Sequence, residues 1–115
     1  MERIRRGDII LTNLEPIKGS EQGGIRPVLI IQNNVFNIYS PTTIVAPFTS
    51  KKPSKKYLTS VFLSKEDLKM KKDSTILLNQ IRTIDRRRLI KKIGSLDYEL
   101  MKKVDKAIKI SLDLN

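Results

Sequence analysis

Gly23-Gly24-Ile25-Arg26 is the stretch of this sequence best equipped to handle a phosphate. A glycine-rich turn brings backbone N–H groups close to an anion, and an arginine just beyond it can grip two phosphate oxygens with its planar fork. By itself the motif reads first as a turn ending in a solvent-exposed arginine. Other chemistries are harder to build. The chain has no histidine and no cysteine, which removes the usual general base, a serine–histidine triad, thiolate metal sites and disulfides. Its carboxylates are scattered singly apart from Glu66-Asp67, which argues against a metal centre of hard oxygen ligands. No Lys-Ser/Thr follows the glycines at P-loop spacing. Chemistry by arginine and hydroxyl groups remains. RNA supplies its own nucleophile, the 2′-hydroxyl. A protein can cut it by holding that hydroxyl in line with the phosphate and stabilising the charge that builds up.

The charge balance fits a polyanion partner. Lys and Arg number 23 against 12 Asp and Glu, a net charge of +11, more than solubility alone requires. The cations cluster in Lys51–Lys72 and in Arg82–Lys92, which read either as solvated faces or as a nucleic-acid footprint. Three Phe, three Tyr and no Trp are too few rings for an aromatic base-stacking platform. With no cofactor motif, secretory signal or membrane-spanning run, the expectation is a cytoplasmic protein.

The elements that must position these residues are mostly short strands. Residues 8–14, 27–31, 43–49, 58–63 and 75–84 are β-rich and separated by turn residues such as Asn33-Asn34 and Ser40-Pro41. Pro27–Ile31 is apolar throughout, as in a strand covered on both faces. Ser64–Asp67 has the form of a capping box, and Asp85 can cap a single turn through Leu89. Residues 90–96 fit strand or helix. Residues 97–112 read as a helix with Leu100, Met101, Val104, Ile108 and Leu112 on one stripe. Glu99 and Asp105 on its polar face count against a membrane-surface role. The chain length suits one domain, residues 1–115. The pattern predicts a mainly β fold: a small, partly open barrel with a terminal helix packed on it.

Arg6-Gly7-Asp8, Ser20–Val28, Ile30–Asn33, Tyr39–Thr42, Ile44–Thr49, Asp73-Ser74 and Gln80–Asp85 with Arg88-Leu89 together resemble the MazF/PemK toxin endoribonucleases, in order and along nearly the whole chain. The likeness is greatest to Gram-positive members. The resemblance implies an SH3-like barrel of the PemK/CcdB type with a C-terminal helix, acting as a tight homodimer. It implies metal- and cofactor-independent cleavage of single-stranded mRNA at a short word, leaving a 2′,3′-cyclic phosphate and a 5′-hydroxyl. The implied partner is an acidic, MazE-like antitoxin whose extended tail occupies the RNA groove. By the same analogy Arg26 and Thr49 are catalytic, while Ser20, Glu21 and Gln80 contact RNA. Because arginine stays charged, Arg26 is expected to stabilise charge and donate a proton rather than act as a free base. The base is left open between Glu21, a water and no specific group. Asn79 departs from the acidic residue many relatives carry there, which bears on base preference. Outside the resemblance Thr49 reads as a strand-end hydroxyl, Gln80 as a solvated strand position and Glu21 as a loop charge. Two other functions share the fold: a non-catalytic SH3-like RNA-binding module and a gyrase-poisoning toxin.

Overall fold

The computed structural model describes residues 3–51 and 58–115. Strands β1 (Asp8–Asn13), β2 (Ile25–Ile30) and β3 (Thr42–Thr49) form an antiparallel centre, with helix α1 (Asn34–Tyr39) between β2 and β3. Then follow β4 (Ser60–Leu63), the short helix α2 (Lys65–Leu68), β5 (Ser74–Leu77), β6 (Arg82–Asp85), β7 (Leu89–Ser95) and helix α3 (Tyr98–Ser111). The sheet runs β4-β5-β3-β2-β1-β7, with β6 also paired to β3. β3 is therefore shared. Its first half pairs β6 from Thr42↔Asp85 to Val45↔Arg82, and its end pairs β5 at Phe48↔Ile76 and Thr49↔Thr75. Among the described residues the sheet is an open, curled path rather than a closed barrel.

The two-residue side-chain period of a strand explains the apolar run in β2. Leu29 joins a core with Ile9, Ala46, Phe48, Ile76 and Val104 beneath α3, whereas Val28 and Ile30 join a second core with Ile10, Val45 and Ile84. Both faces of the central strands are buried, as the uninterrupted apolar sequence predicts.

Helix α3 starts where expected, because the Asp97 side chain accepts from Leu100 N at 2.9 Å and satisfies an otherwise orphaned donor. Val104 and Ala107 are its buried residues, and Leu100, Met101 and Ile108 pack beside them. Leu112 does not belong to the stripe. It lies past the last helical residue and is exposed. Ser64 and Asp67 form the expected reciprocal capping box at α2, and Asp85 caps the turn Arg86–Arg88. The ambiguous residues 90–96 fall in β7 through Ser95, paired to β1.

Two expectations change. Residues 75–84 are not one strand, because a 3-10 turn, Leu78–Gln80, separates β5 from β6. The break lets two successive segments pair with successive parts of β3, and it drives Leu78 into the core, where its N–H donates to Thr59 O at 3.0 Å. The Asn33–Tyr39 segment also forms helix α1, capped by Asn33 Oδ1 accepting from Phe36 N. The lysine-rich stretch Lys51–Lys56, whose composition reads as a loop, lies, beyond Lys51, outside the described residues. Among the described residues no helix is long and apolar enough to cross a membrane.

The Arg6-Gly7-Asp8 stretch is structural. Arg6 Nε donates to Ile31 O at 2.9 Å and Nη2 pairs with Asp105 of α3. Gly7 holds φ +96°, a region L side chains avoid. Asp8 accepts from Arg5 N and pairs with Lys92 of β7 at 3.1 Å.

Candidate functional site

Strands β2 and β3 bring the start of one beside the end of the other. Their register pairs Val28 with Pro47 and Ile30 with Val45. Carried two residues further, the same register sets Arg26 against Thr49. The guanidinium of Arg26 confirms the proximity: Nη1 donates to Phe48 O at 3.1 Å. Nη1 also donates to Gln22 Oε1 at 2.7 Å, and Nε to Gly23 O at 2.6 Å. Nη2 makes no hydrogen bond to a described residue, so one edge of the fork stays open. Thr49 Oγ1 accepts from Lys51 N at 3.3 Å and retains its own proton to donate.

The loop before β2 is shaped by its glycines. Gly24 holds φ +76°, and a Cβ at Gly23 would come within 2.8 Å of both Glu15 Oε1 and Ile17 Cδ1. The same Glu15 Oε1 accepts from Gly24 N at 2.9 Å. Further out, Glu21 Oε1 accepts from Lys18 N at 2.6 Å. Gln22 N donates to Gln80 Oε1 at 2.8 Å, which ties the loop to the Leu78–Gln80 turn. Gln22 thus takes Gln80 on its backbone and Arg26 on its side chain.

Three adjoining concavities make a groove. Arg26 and Thr49 line one of about 580 Å³, together with Ile25, Ser50, Lys71 and Lys72. Thr49 also borders the next, with Gln22, Lys51, Thr75, Asn79 and Gln80. Gln22, Asn79 and Gln80 continue into a third with Ser20, Glu21 and Arg82. Arg26 and Thr49 therefore share a wall, and Gln80 is one concavity away. Ser20 and Glu21 lie at the far end, in a concavity that Arg26 does not line. Gln80 sits on a 3-10 turn rather than the expected strand.

Among the described residues no carboxylate lines the concavity of Arg26 and Thr49, while Lys71 and Lys72 do, so its field is positive and suits an anion. The titration shifts lie elsewhere. Arg87 donates from Nε, Nη2 and its backbone N to the Asp85 carboxylate, which holds that carboxyl below its ordinary value and raises Arg87. Among the described residues no group of three or more acidic side chains is placed to hold a metal ion.

Gln22, Lys71 and Lys72 were not among the residues picked out by sequence. Gln22 lay inside the motif, but its bridging role needs the partner turn from far along the chain. The two lysines were legible only as members of a basic cluster.

A sequence model of the PemK-like, MazF-like toxins of type II toxin-antitoxin systems matches residues 5–112. Solved structures with the same fold include MazF from Deinococcus radiodurans, with TM-score 0.82 at 23% identity, covering 96% of this chain and 97% of that one. The Mycobacterium tuberculosis toxin MazF-mt6 has TM-score 0.79 at 23% identity, covering 94% and 98%. An endoribonuclease in complex with its cognate antitoxin, from a mycobacterial species, has TM-score 0.81 at 20% identity, covering 98% of each chain.

Proposed function

The chain belongs to the PemK-like, MazF-like toxins of type II toxin-antitoxin systems, and on that premise we propose that it is a metal-independent endoribonuclease cutting single-stranded mRNA at a short sequence to stop translation. The observation that carries this reading is the pairing of Arg26 with Thr49 on one wall that, among the described residues, no carboxylate lines. An arginine with an open fork edge beside a strand-end hydroxyl can hold a phosphate from two directions. The RNA 2′-hydroxyl then attacks the adjacent phosphorus and gives up its proton to solvent water. The O–P bond to the next nucleotide breaks, leaving a 2′,3′-cyclic phosphate and a 5′-hydroxyl. Arg26 stabilises the charge gathering on the phosphate and can hydrogen-bond the leaving oxygen as it takes a proton from water, while Thr49 donates its hydroxyl to a phosphate oxygen. Glu21 is assigned to RNA binding with Ser20 and Gln80 rather than to proton abstraction. It lines the distant concavity, and one of its oxygens is engaged by Lys18 N.

The toxin is further proposed to act in the cytoplasm as a homodimer, countered by an acidic antitoxin that competes with RNA for the cationic groove. The dimer is supported by the exposed apolar side chains of α1. Between Arg26 and Lys51 the sequence has no charged residue, and Val35, Phe36, Ile38 and Tyr39 of α1 are exposed by 58% to 79%. On a chain of net charge +11, such a face is where two copies can meet without repulsion.

The test is incubation of the purified protein with mixed single-stranded RNA in EDTA, followed by mapping of both ends. Cuts at one word, with cyclic-phosphate and 5′-hydroxyl ends, are expected to vanish in Arg26→Ala and when the ribose 5′ to the cut is 2′-deoxy. RNA bound but left intact would point to a non-catalytic binding module, and trapped DNA breaks to a gyrase poison.

A further inference from the structure

The groove changes chemical character along its length. On one side of Arg26 and Thr49 it is walled by groups that can discriminate bases: Ser20, Gln22, Asn79 and Gln80 carry hydroxyl and amide donors and acceptors, interspersed with the charged Glu21, Lys51 and Arg82. On the other side it runs, through Ser50, Lys71 and Lys72, into a further concavity of about 420 Å³ that adds Lys65 and Asp73. Among the described residues no amide side chain and no ring lines this further concavity.

The local fold holds this cationic wall in place. Helix α2 ends at Lys69 in the left-handed region, with φ 52°, which turns the chain back across the groove. Asp73 Oδ1 then accepts from Lys65 N at 2.8 Å, pinning the returning segment to the start of α2. Asp73 is the sole carboxylate among the described residues that line this concavity, and one of its oxygens is thereby committed to a backbone amide. Among the described residues, Lys65, Lys71 and Lys72 form no ion pair, and Lys71 and Lys72 are exposed.

We infer that the Lys65–Lys71–Lys72 arm is a sequence-blind subsite that holds backbone phosphates of the RNA on one side of the cut, while the amide-lined end reads bases on the other. A lysine ammonium is a point charge with no fixed fork, suited to phosphate and poorly suited to distinguishing base edges. The inference rests on the endoribonuclease reading, and it adds a division of labour: affinity from one arm, the recognition word from the other.

The experiment measures binding of a labelled single-stranded RNA, 2′-deoxy at the mapped cut, by anisotropy across a salt series. Wild type is compared with Lys71→Gln/Lys72→Gln, and the cut word of each is mapped on unmodified RNA. The double variant is expected to weaken binding by the same factor for every sequence. It should flatten the log–log salt slope by about 1.4, or about 0.7 per phosphate contact on a single strand, and leave the word unchanged. RNAs trimmed progressively from one end should lose their sensitivity to the substitution once they no longer reach the arm. An unchanged slope or an altered word overturns the inference while the nuclease reading stands. An unchanged RNA slope with lost displacement by polyglutamate assigns the arm to an acidic peptide and also overturns it. Wild-type protein that binds with the expected slope yet never cuts unmodified RNA refutes the nuclease reading and leaves the arm intact. Failure of wild type to bind single-stranded RNA refutes both.

Discussion

The backbone N–H of Gln22 meets Oε1 of Gln80 at 2.8 Å, across a sequence separation of 58 residues. Because the Gln22 side chain in turn accepts from Arg26, this bond couples the 3-10 turn to the guanidinium through a single residue. Gln80→Ala is expected to free the Gln22 amide. A neutral hydrogen bond contributes about 1 kcal/mol net, so the Gln22 amide should exchange with solvent roughly five times faster by NMR. Gln80→Glu, which keeps an oxygen acceptor, should restore most of the protection. Unaltered exchange in Gln80→Ala would mean that the loop is held by its glycines and Glu15 alone.

At Arg26, a lysine cannot reproduce the present contacts. One ammonium cannot reach Gly23 O, Gln22 Oε1 and Phe48 O while leaving an edge for phosphate. Arg26→Lys and Thr49→Val are each expected to lower kcat by about 10² to 10³, the range for removing one donor to developing charge, with KM changed much less. Single-turnover cleavage of a defined RNA measures this. A loss below tenfold in both variants is incompatible with the proposed roles.

The two loop glycines should fail for different reasons. Gly24→Ala forces a side chain into φ +76° with nothing crowding it, so it should cost about 1 to 2 kcal/mol and lower Tm by a few degrees. Gly23→Ala meets no forbidden dihedral but collides with Glu15 and Ile17. Its Tm penalty should be relieved by pairing it with Ile17→Ala, whereas the Gly24→Ala penalty should not be. Thermal melts of the four variants separate the cases.

If α1 forms the contact between copies, a charge placed there will split the dimer. Ile38→Lys is expected to give a monomer by light scattering at micromolar concentration, with a circular dichroism spectrum like that of wild type, since Ile38 is 71% exposed. A persistent dimer would move the interface off α1.

The Asp85–Arg87 pair sets a small acid-limb dependence. The Asp85 carboxyl is lowered from 3.8 chiefly by the hydrogen bond from Arg87. Its charge therefore stabilises the fold above that value, and the contribution is lost as pH falls through the lower, folded-state value. Asp85→Asn keeps a capping oxygen but not the charge. Its Tm is expected to lie slightly below wild type at neutral pH, the gap closing below pH 3.8 and shrinking in high salt because both groups are exposed. A gap independent of pH would assign the effect to the cap instead.

What the sequence made legible was local. Ser64–Asp67, Asp85 and Asp97 announce helical starts because a cap needs only residues three positions apart. The double-sided burial of Val28–Ile30 shows directly as an unbroken apolar run. Helix α1 was missed because Val35, Phe36, Ile38 and Tyr39 are indifferent helix formers and leave most of their surface uncovered, so neither propensity nor periodicity marks them. The break at Leu78–Gln80 was missed because it answers to β3, which must pair two successive segments. For the site, Arg26 and Thr49 were named through a family likeness, yet their adjacency is a property of the β2–β3 register, which neither segment states alone. Lys71 and Lys72 were visible as charge, but which side of the molecule a charge faces is decided by the left-handed turn at Lys69.

Three acceptors already hold the Arg26 guanidinium. A free arginine side chain carries about 2 kcal/mol of rotamer entropy, and here that loss falls on folding rather than on the encounter with RNA. Little conformational search should be left when a strand arrives. Binding at this position should therefore show a milder entropic penalty than at the exposed lysines farther along, so that a short RNA centred on Arg26 retains disproportionate affinity for its length.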